Sequence, residues 1–530
     1  ALLLSMAKRL SGADWFTAKV SACGVLPVVY RYYHARSKAG GGGGGEGGGA
    51  GDDESRRELR SMYRDLCEDD APMVRRGAGK NLGRFVEAVA DLPGTAPELY
   101  NRPEVCGQAS PAGSDVRRVV REEMVPVFRA LGTDEQDSVR LLACAQGGSV
   151  GCALGMDPEL TVEMVFPVVK AGCTDLSWRV RHNLSKEFAT VAGSLGFGSN
   201  PKFAARRTEL FSCFSGLLQD QEAEVRAAAV ENVARMTQLG GPDLFTTHIA
   251  PILPGLADDP VVEVRSKLAQ TLMDCCDESI CDVLTDAIVL RDFRPLLEGF
   301  LQDEFAEVQL HVLTKLSRVS RLLAKMDAVV GSVLAMAKAP NWRVREAVGR
   351  LLPHLAEARG IQFFEDHLLD PWLKLLLDQV ADVRSACVAG MPRLLSVAGA
   401  AWIQREILPH YVRIYDDSPT YLTRITIVRS FAALASCDPD DEAPLGEGGS
   451  PKPDIPPSLL EDVVQQMLRG LDDRVANVRM VSARGLAAMG GICEAPVLNA
   501  KVRPALSARV TEDEDEDCKY FAQIALDACA

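Results

Sequence analysis

DLSWRVRHNLSKEF, residues 175–188, is the stretch whose reading decides the fold. An acid, Asp175, stands in a polar turn, Trp178 follows three residues later, and Val180 opens a run in which Leu184, Phe188 and Val191 recur at helical spacing. Upstream, Leu160, Val162, Val165, Val168 and Val169 form a second apolar face that ends at the same turn. The stretch therefore predicts helix A, a short turn and helix B. Two such helices leave an apolar flank that only a further copy can cover, so stacking follows from burial.

Asp followed five residues later by Val-Arg recurs along the chain, in DAPMVRR (Asp70, with Asp69 giving the spacing), DEQDSVR, DQEAEVR, DPVVEVR, DEFAEVQ, DQVADVR and DRVANVR. Weaker copies are DWFTAK, NWRVR, DSPTYLTR and DEDEDCKY, which makes twelve units. The valines Val139, Val180, Val225, Val264, Val308, Val344 and Val383 are separated by 41, 45, 39, 44, 36 and 39 residues. That period fits helical hairpins of the HEAT or armadillo type, at about 40–47 residues, and exceeds the ~33–34 of ankyrin and tetratricopeptide repeats. Three steps are longer: Lys19 to Val74, Val74 to Val139 and Leu422 to Val478. Each contains a segment rich in Gly, Pro or acid, expected as a disordered insertion at 38–55, 93–114 and 438–457 of one solenoid over 1–530.

Composition points the same way. The chain of 530 residues is 47% hydrophobic but only 6% aromatic, and no window alternates apolar with polar for long, which predicts an all-α fold. A net charge of −15 argues against general nucleic-acid binding, which rests on clustered Lys and Arg. Fifteen scattered cysteines suggest reduced thiols in a cytoplasmic or nuclear protein. No apolar run approaches the ~20 residues that span a bilayer. The seven histidines lie in different repeats and none is paired at metal spacing. The cysteines of CCDESIC (Cys275, Cys276, Cys281) read as core residues plus one exposed thiol, and the poly-Gly tract lacks the Lys and Ser/Thr of a phosphate loop. No catalytic residue, cofactor or metal is expected.

The motif has a physical reading. The turn Asp accepts amides at the start of helix B or pairs with an arginine, Val fills the first buried position, and Arg reaches the Asp of the next turn to make a ladder. Trp178 and Trp342 share one slot before the valine, Trp15 lies in the corresponding turn and Tyr421 is close to it. Aromatics at solvent-facing turns are expected as anchors for a protein partner.

At these residues the sequence resembles a known family. GADWFTAKVSACG, DDAPMVRR, DEQDSVRLLA, SWRVR, EAEVRAAA, NWRVR, VANVR and CKYFAQIAL are similar to the scaffold (A) subunit of protein phosphatase 2A. The match starts at that family's fourth HEAT repeat and runs to its last. The resemblance implies a horseshoe-shaped α-α superhelix that is not an enzyme and joins two partners in a heterotrimer. It implies that the phosphatase catalytic subunit binds turns bearing Trp342, Arg343, Val380, Asp382, Tyr421, Leu422, Val475, Ala476 and Lys519. A regulatory B-type subunit would bind Trp15, Phe16, Pro72, Arg76, Trp178 and Arg179. A HEAT-type nuclear transport receptor is the alternative. Three departures stand out: Gln309 in place of the usual basic residue, the glycines of CAQGGSVGCALG where helix B should be regular, and the Gly-rich tract between the first two units. The first unit begins at Leu2, Leu3, Leu4 and Leu10 without a preceding repeat, as expected of a fragment or an incomplete gene model.

Overall fold

In the computed structural model the described residues are 2–40, 49–92, 113–198, 200–435 and 455–529, all helix or connecting turn with no strand among them. They form an all-α superhelix of HEAT-type hairpins in two units, residues 1–292 and 293–530. Within the first, Phe166–Cys173 leads through a turn into Trp178–Ser194, and Ala204–Leu218 leads into Ala223–Val230. Within the second, Leu369–Leu376 leads into Ala381–Ala398 and Leu408–Asp417 into Tyr421–Leu434.

The motif valines lock these hairpins. Val74, Val139, Val180, Val225, Val264, Val308, Val344, Val383 and Val478 are all fully buried. Burying one Val side chain contributes about 1.5–3 kcal/mol, so the repeated valine is a repeated stabiliser of the hairpin apex. Larger side chains join neighbouring repeats. Phe188 stacks on Phe214 at 5.3 Å, and the buried Trp372 indole donates to the Tyr411 hydroxyl at 3.0 Å. Between some repeats the chain turns within one residue. Gly360 and Gly399, at φ of +86° and +80°, end one B helix and begin the next A helix, a backbone region that side-chain-bearing residues avoid.

The A helices are less regular than the hydrophobic pattern suggests. Wide π-helical turns occur at Val120–Met124, Phe245–Ile249, Val289–Phe293, Phe364–Leu368, Ile403–Ile407 and Leu498–Val502. Each is followed within three residues by a proline: Pro126, Pro251, Pro295, Pro371, Pro409 and Pro504. Proline has no N–H to donate and its ring crowds the preceding turn, so the helix widens just ahead of it.

The structure corrects several expectations. Two weak copies of the motif lie one position off their expected register. Ala18, not Lys19, occupies the valine slot of the first unit, because Lys19 bonds Asp69 of the next turn as the arginines do. Thr423, not Leu422, occupies it further on, because Arg424 returns to the carbonyl six residues back, Ser418, as the other arginines do. The insertion expected at 38–55 is helical at both ends, in Phe16–Gly40 and Gly49–Cys67, while 41–48 lie outside the described residues. Residues 113–114 and 457 likewise belong to helices, and 93–112 and 436–454 lie outside the described residues. The glycines of CAQGGSVGCALG do interrupt helix B, which runs Asp137–Cys144 and resumes at Gly147–Ala153, and they allow close approach of the next repeat. A Cβ on Gly151 would lie 2.8 Å from the Ser194 carbonyl oxygen.

Candidate partner-binding turns

The turn between helices A and B is built the same way in most repeats. The turn Asp accepts the backbone N–H two residues on: Asp175 from Ser177 at 2.8 Å, Asp134 from Gln136 and Asp378 from Val380 at 2.9 Å each. That closes the turn and orders the residues after it. The motif Arg then works in two directions. Arg181 donates back to the Asp175 carbonyl at 2.7 Å and forward to both carboxylate oxygens of Asp220 at 2.6 and 2.9 Å. Two parallel N–H bonds fix orientation as well as distance.

Lys19–Asp69, Arg75–Asp134, Arg140–Asp175, Arg181–Asp220 and Arg226–Asp259 are five successive rungs, at 2.6–2.7 Å. Within 293–530 the rungs Arg345–Asp378, Arg424–Asp473 and Arg479–Asp513 are made at 2.7 Å. Burial alone would raise these carboxylates. The arginine bond, the turn amide and the arginine charges together outweigh it, and Asp134, Asp175, Asp220, Asp378, Asp473 and Asp513 lie below the usual carboxylate value. The expected weakness at Gln309 has a second half that the sequence pattern did not expose. Gln309 bonds the Asp303 carbonyl of its own turn, at 2.8 Å, and the acid slot of the next turn holds Ala339. Acid and base are absent together. At Arg384 the acid alone is replaced, by Ser418, and the guanidinium meets the Thr426 hydroxyl at 3.1 Å.

With Asp and Arg engaged in architecture, the residues between them are left to face outward. Leu176 is 99% exposed, Trp15 77%, Met73 51%, Leu422 46% and Tyr421 40%, and Phe16, Val261 and Phe305 are also exposed. Trp178 and Trp342, expected as open anchors, are half-buried instead. The Arg179 guanidinium sits over Trp178 at 5.3 Å, the His182 ring lies tilted against the same indole at 5.9 Å, and Arg343 sits over Trp342 at 4.6 Å. A cation over an indole face covers part of the ring and fixes its orientation. Of the other expected positions, Pro72, Arg76, Arg179, Arg343 and Asp382 are exposed, while Val380, Val475, Ala476 and Lys519 are half-buried. Lys519 pairs with Glu516 at 2.8 Å.

Leu176, Met73, Val261 and Phe305 are not among the expected positions. Their signal is present in the chain: each lies between the acid and the valine of its motif, where an apolar side chain cannot point inward because Val already fills that place. Among the described residues no three His, Cys, Asp or Glu side chains converge as metal ligands, and no single helix is long and apolar enough to cross a membrane. Cys275 and Cys281 are buried and Cys276 is half-buried.

Comparison with known proteins agrees with the HEAT-type fold. Residues 203–276 match the family model described as PPP2R1A-like HEAT repeat. Over 191 residues, 36% of this chain and 25% of the relative, the sequence is 28% identical to the A-type regulatory subunit of protein phosphatase PP2A from Schizosaccharomyces pombe. Over 149 residues, 28% of this chain and 18% of the relative, it is 32% identical to a probable serine/threonine-protein phosphatase PP2A regulatory subunit of Caenorhabditis elegans. The matched stretches thus span a quarter or less of these relatives. Among solved structures, a chain of the Kap95:Nup1 complex aligns over 100% of this chain and 63% of its own length, with a TM-score of 0.60 at 13% identity. The karyopherin Kap121p, bound to the extreme C-terminus of the protein phosphatase Cdc14p, aligns over 100% of this chain and 50% of its own with a TM-score of 0.60 at 14% identity. At such identity the likeness is one of fold.

Proposed function

We propose that this chain is a non-catalytic scaffold of a protein phosphatase 2A-type holoenzyme. The catalytic subunit is held by the turns of 342–519, whereas a regulatory B-type subunit is held by those of 15–179. The observation that carries the reading is the set of outward-facing apolar and aromatic side chains at turns whose motif bases, and whose acids where the slot holds one, are already engaged in the architecture. Aromatic and Arg side chains on a rigid, preorganised backbone are what a protein interface uses as anchors. Trp342 under Arg343, together with Tyr421 and Leu422, forms the first set. Trp15, Phe16, Met73, Leu176 and Trp178 form the second. The relatives named as regulatory subunits of PP2A supply the partner class. Such a scaffold works by bringing two proteins together, and needs neither metal nor nucleophile of its own.

Titration of the purified chain against a recombinant phosphatase 2A catalytic subunit tests this. Saturable binding is expected, and Trp342→Ala with Tyr421→Ala should weaken it by about 2–4 kcal/mol, as for two hot-spot anchors. Binding that is unchanged in a folded double variant would move the interface off these turns. Capture of a nuclear small GTPase in place of the phosphatase would replace the scaffold reading with that of a transport receptor.

A further inference from the structure

Away from the turns, the B helices of 293–530 form a groove. It encloses about 350 Å³ along Trp342–Arg359 and Ala381–Ala398 and across the end of Ala306–Leu313. Ala347, Leu351 and Ala386 are buried and make its apolar floor, and Arg350 and Arg393 stand exposed at its rim. These two arginines are not rungs of the ladder. Arg350 lies six residues after Val344 and Arg393 ten after Val383, so both sit well inside their helices. Arg350 donates from Nε to Glu346, and Arg393 from one terminal nitrogen to Glu357, each at 2.7 Å. Their side chains are 63% and 48% exposed, and a guanidinium carries five N–H groups, so each head keeps donors for a second acceptor.

Charge singles this groove out. In a chain of net charge −15, its lining sets Arg350 and Arg393 against one acid, Glu346. The groove between B helices of 1–292, of about 410 Å³, has the opposite balance: Glu224, Glu231 and Glu263 line it with Lys186 and Lys267, and Glu231 takes Lys267 at 2.5 Å. We propose that the groove of 293–530 docks an extended, carboxylate-rich peptide segment of a partner protein, its acidic side chains on Arg350 and Arg393 and an apolar side chain on the floor between them. The docked segment adds to whatever the A–B turns hold, because no turn residue contributes to the groove.

The surroundings suit a carboxylate. Glu346 and Glu357 already bond these guanidinium groups in place, and exposed ion pairs of that kind exchange partners at little cost. Arginine presents its donors in a planar fork that matches a carboxylate, so a second acid meets a prepared head and not a floppy point charge. His354 lines the same groove, and burial, followed by the Arg393 charge, holds it below its ordinary value. It is therefore neutral near pH 7 and offers a hydrogen bond without adding charge.

The experiment titrates the full chain against a fluorescent peptide of repeated Glu-Leu-Glu-Gly and reads anisotropy. Saturable binding is expected, weakened by salt and lost by about tenfold or more when every Glu of the peptide is Gln. Arg350→Gln with Arg393→Gln should weaken it by a similar factor, whereas Arg413→Gln, at an 81% exposed arginine outside the groove, should bind like the parent. Glu357→Gln releases Arg393 from its exposed pair and should tighten binding. Melting of each variant verifies the fold. Absence of binding, binding that survives the double arginine variant, or equal binding of the Gln peptide would overturn the proposal. A peptide with phosphoserine in place of Glu is the last arm, and binding by that peptide alone would overturn the carboxylate assignment.

Discussion

The two units use one hairpin but stitch it differently. In 1–292 five successive basic residues each reach the acid of the next turn, from Lys19–Asp69 to Arg226–Asp259. In 293–530 the described pattern is interrupted at two places, once where Gln309 faces Ala339 and once where Ser418 stands in the acid slot ahead of Arg384. The two interruptions teach different things. Losing both partners leaves no charge to satisfy and costs little, since a buried pair contributes little net energy against its own desolvation. Losing only the acid leaves a guanidinium needing another acceptor. Arg384 finds a hydroxyl and two carbonyls, and burial lowers its pKa, whereas the paired Arg345 and Arg424 are raised by their carboxylates.

The largest effect expected from this contrast is collective and appears in acid. Asp69, Asp134, Asp175 and Asp220 in the first unit, and Asp378, Asp473 and Asp513 in the second, have pKa values below the ordinary 3.8. A carboxylate depressed on folding contributes stability that is present above its unfolded value and disappears as pH falls through its folded value. Both units should therefore be pH-insensitive on this account near neutrality and weaken below about pH 4. Hydrogen exchange resolved by peptide should show 1–292 losing more protection than 293–530 as the pH falls from about 4 to about 2.5. Equal losses, or loss beginning near pH 6, would show that the rungs do not set acid stability.

A single rung gives the next largest effect. Arg424 is 5% exposed and bonds Asp473 through two nitrogens at 2.7 and 3.0 Å, and the Tyr415 hydroxyl donates to the same carboxylate at 2.7 Å. Removing one member of such a pair leaves a buried charge uncompensated, so Asp473→Ala should cost about 3–5 kcal/mol in urea unfolding. A cost below about 1 kcal/mol would place this rung with ordinary surface ion pairs.

The natural gap permits the reverse construction. Gln309→Arg alone adds a charge opposite Ala339 and should be neutral to destabilising. With Ala339→Asp it should complete a rung, and the double-mutant cycle should yield a coupling of about 1–2 kcal/mol. Zero coupling in folded variants would mean that the two slots are not aligned as they are at Arg345–Asp378.

How much of this is legible in the sequence depends on what each residue has to do. The motif valines, the turn acids and the arginines answer local demands of burial and hydrogen bonding that repeat along the chain, so the hairpin, its period and the ladder can be read directly. Lys19 and Leu422 are misplaced by that reading because Ala18 and Thr423 stand where Val marks the slot elsewhere, and only the hydrogen bonds of Lys19 and Arg424 restore the register. The π turns are foreshadowed by prolines such as Pro371 and Pro409, but hydropathy does not show a missing N–H. Trp178 and Trp342 read as open from sequence, because the rotamer that lays Arg179 or Arg343 across an indole is a tertiary choice.

The smallest effect on stability concerns the residue that separates architecture from recognition most cleanly. Leu176 is 99% exposed and lies directly after Asp175, whose carboxylate is engaged by Arg140 and by the Ser177 amide. An apolar side chain in that position contributes almost nothing to the fold, because it buries no area, and its replacement should fall within about 0.5 kcal/mol of the parent. The turn should keep its shape, since its hydrogen bonds are made by Asp175, Ser177 and Arg181 and not by the Leu176 side chain. If this turn serves the proposed regulatory partner, the same side chain passes from full exposure to burial on binding. Leu176→Ser should then leave the thermal midpoint unchanged and weaken binding of a B-type regulatory partner by about 1–2 kcal/mol, with catalytic-subunit affinity unaltered. Paired melts and titrations measure both quantities on one variant. A lowered midpoint would show that Leu176 packs on the chain after all, and unchanged affinity for every B-type partner tested would remove this turn from the regulatory surface.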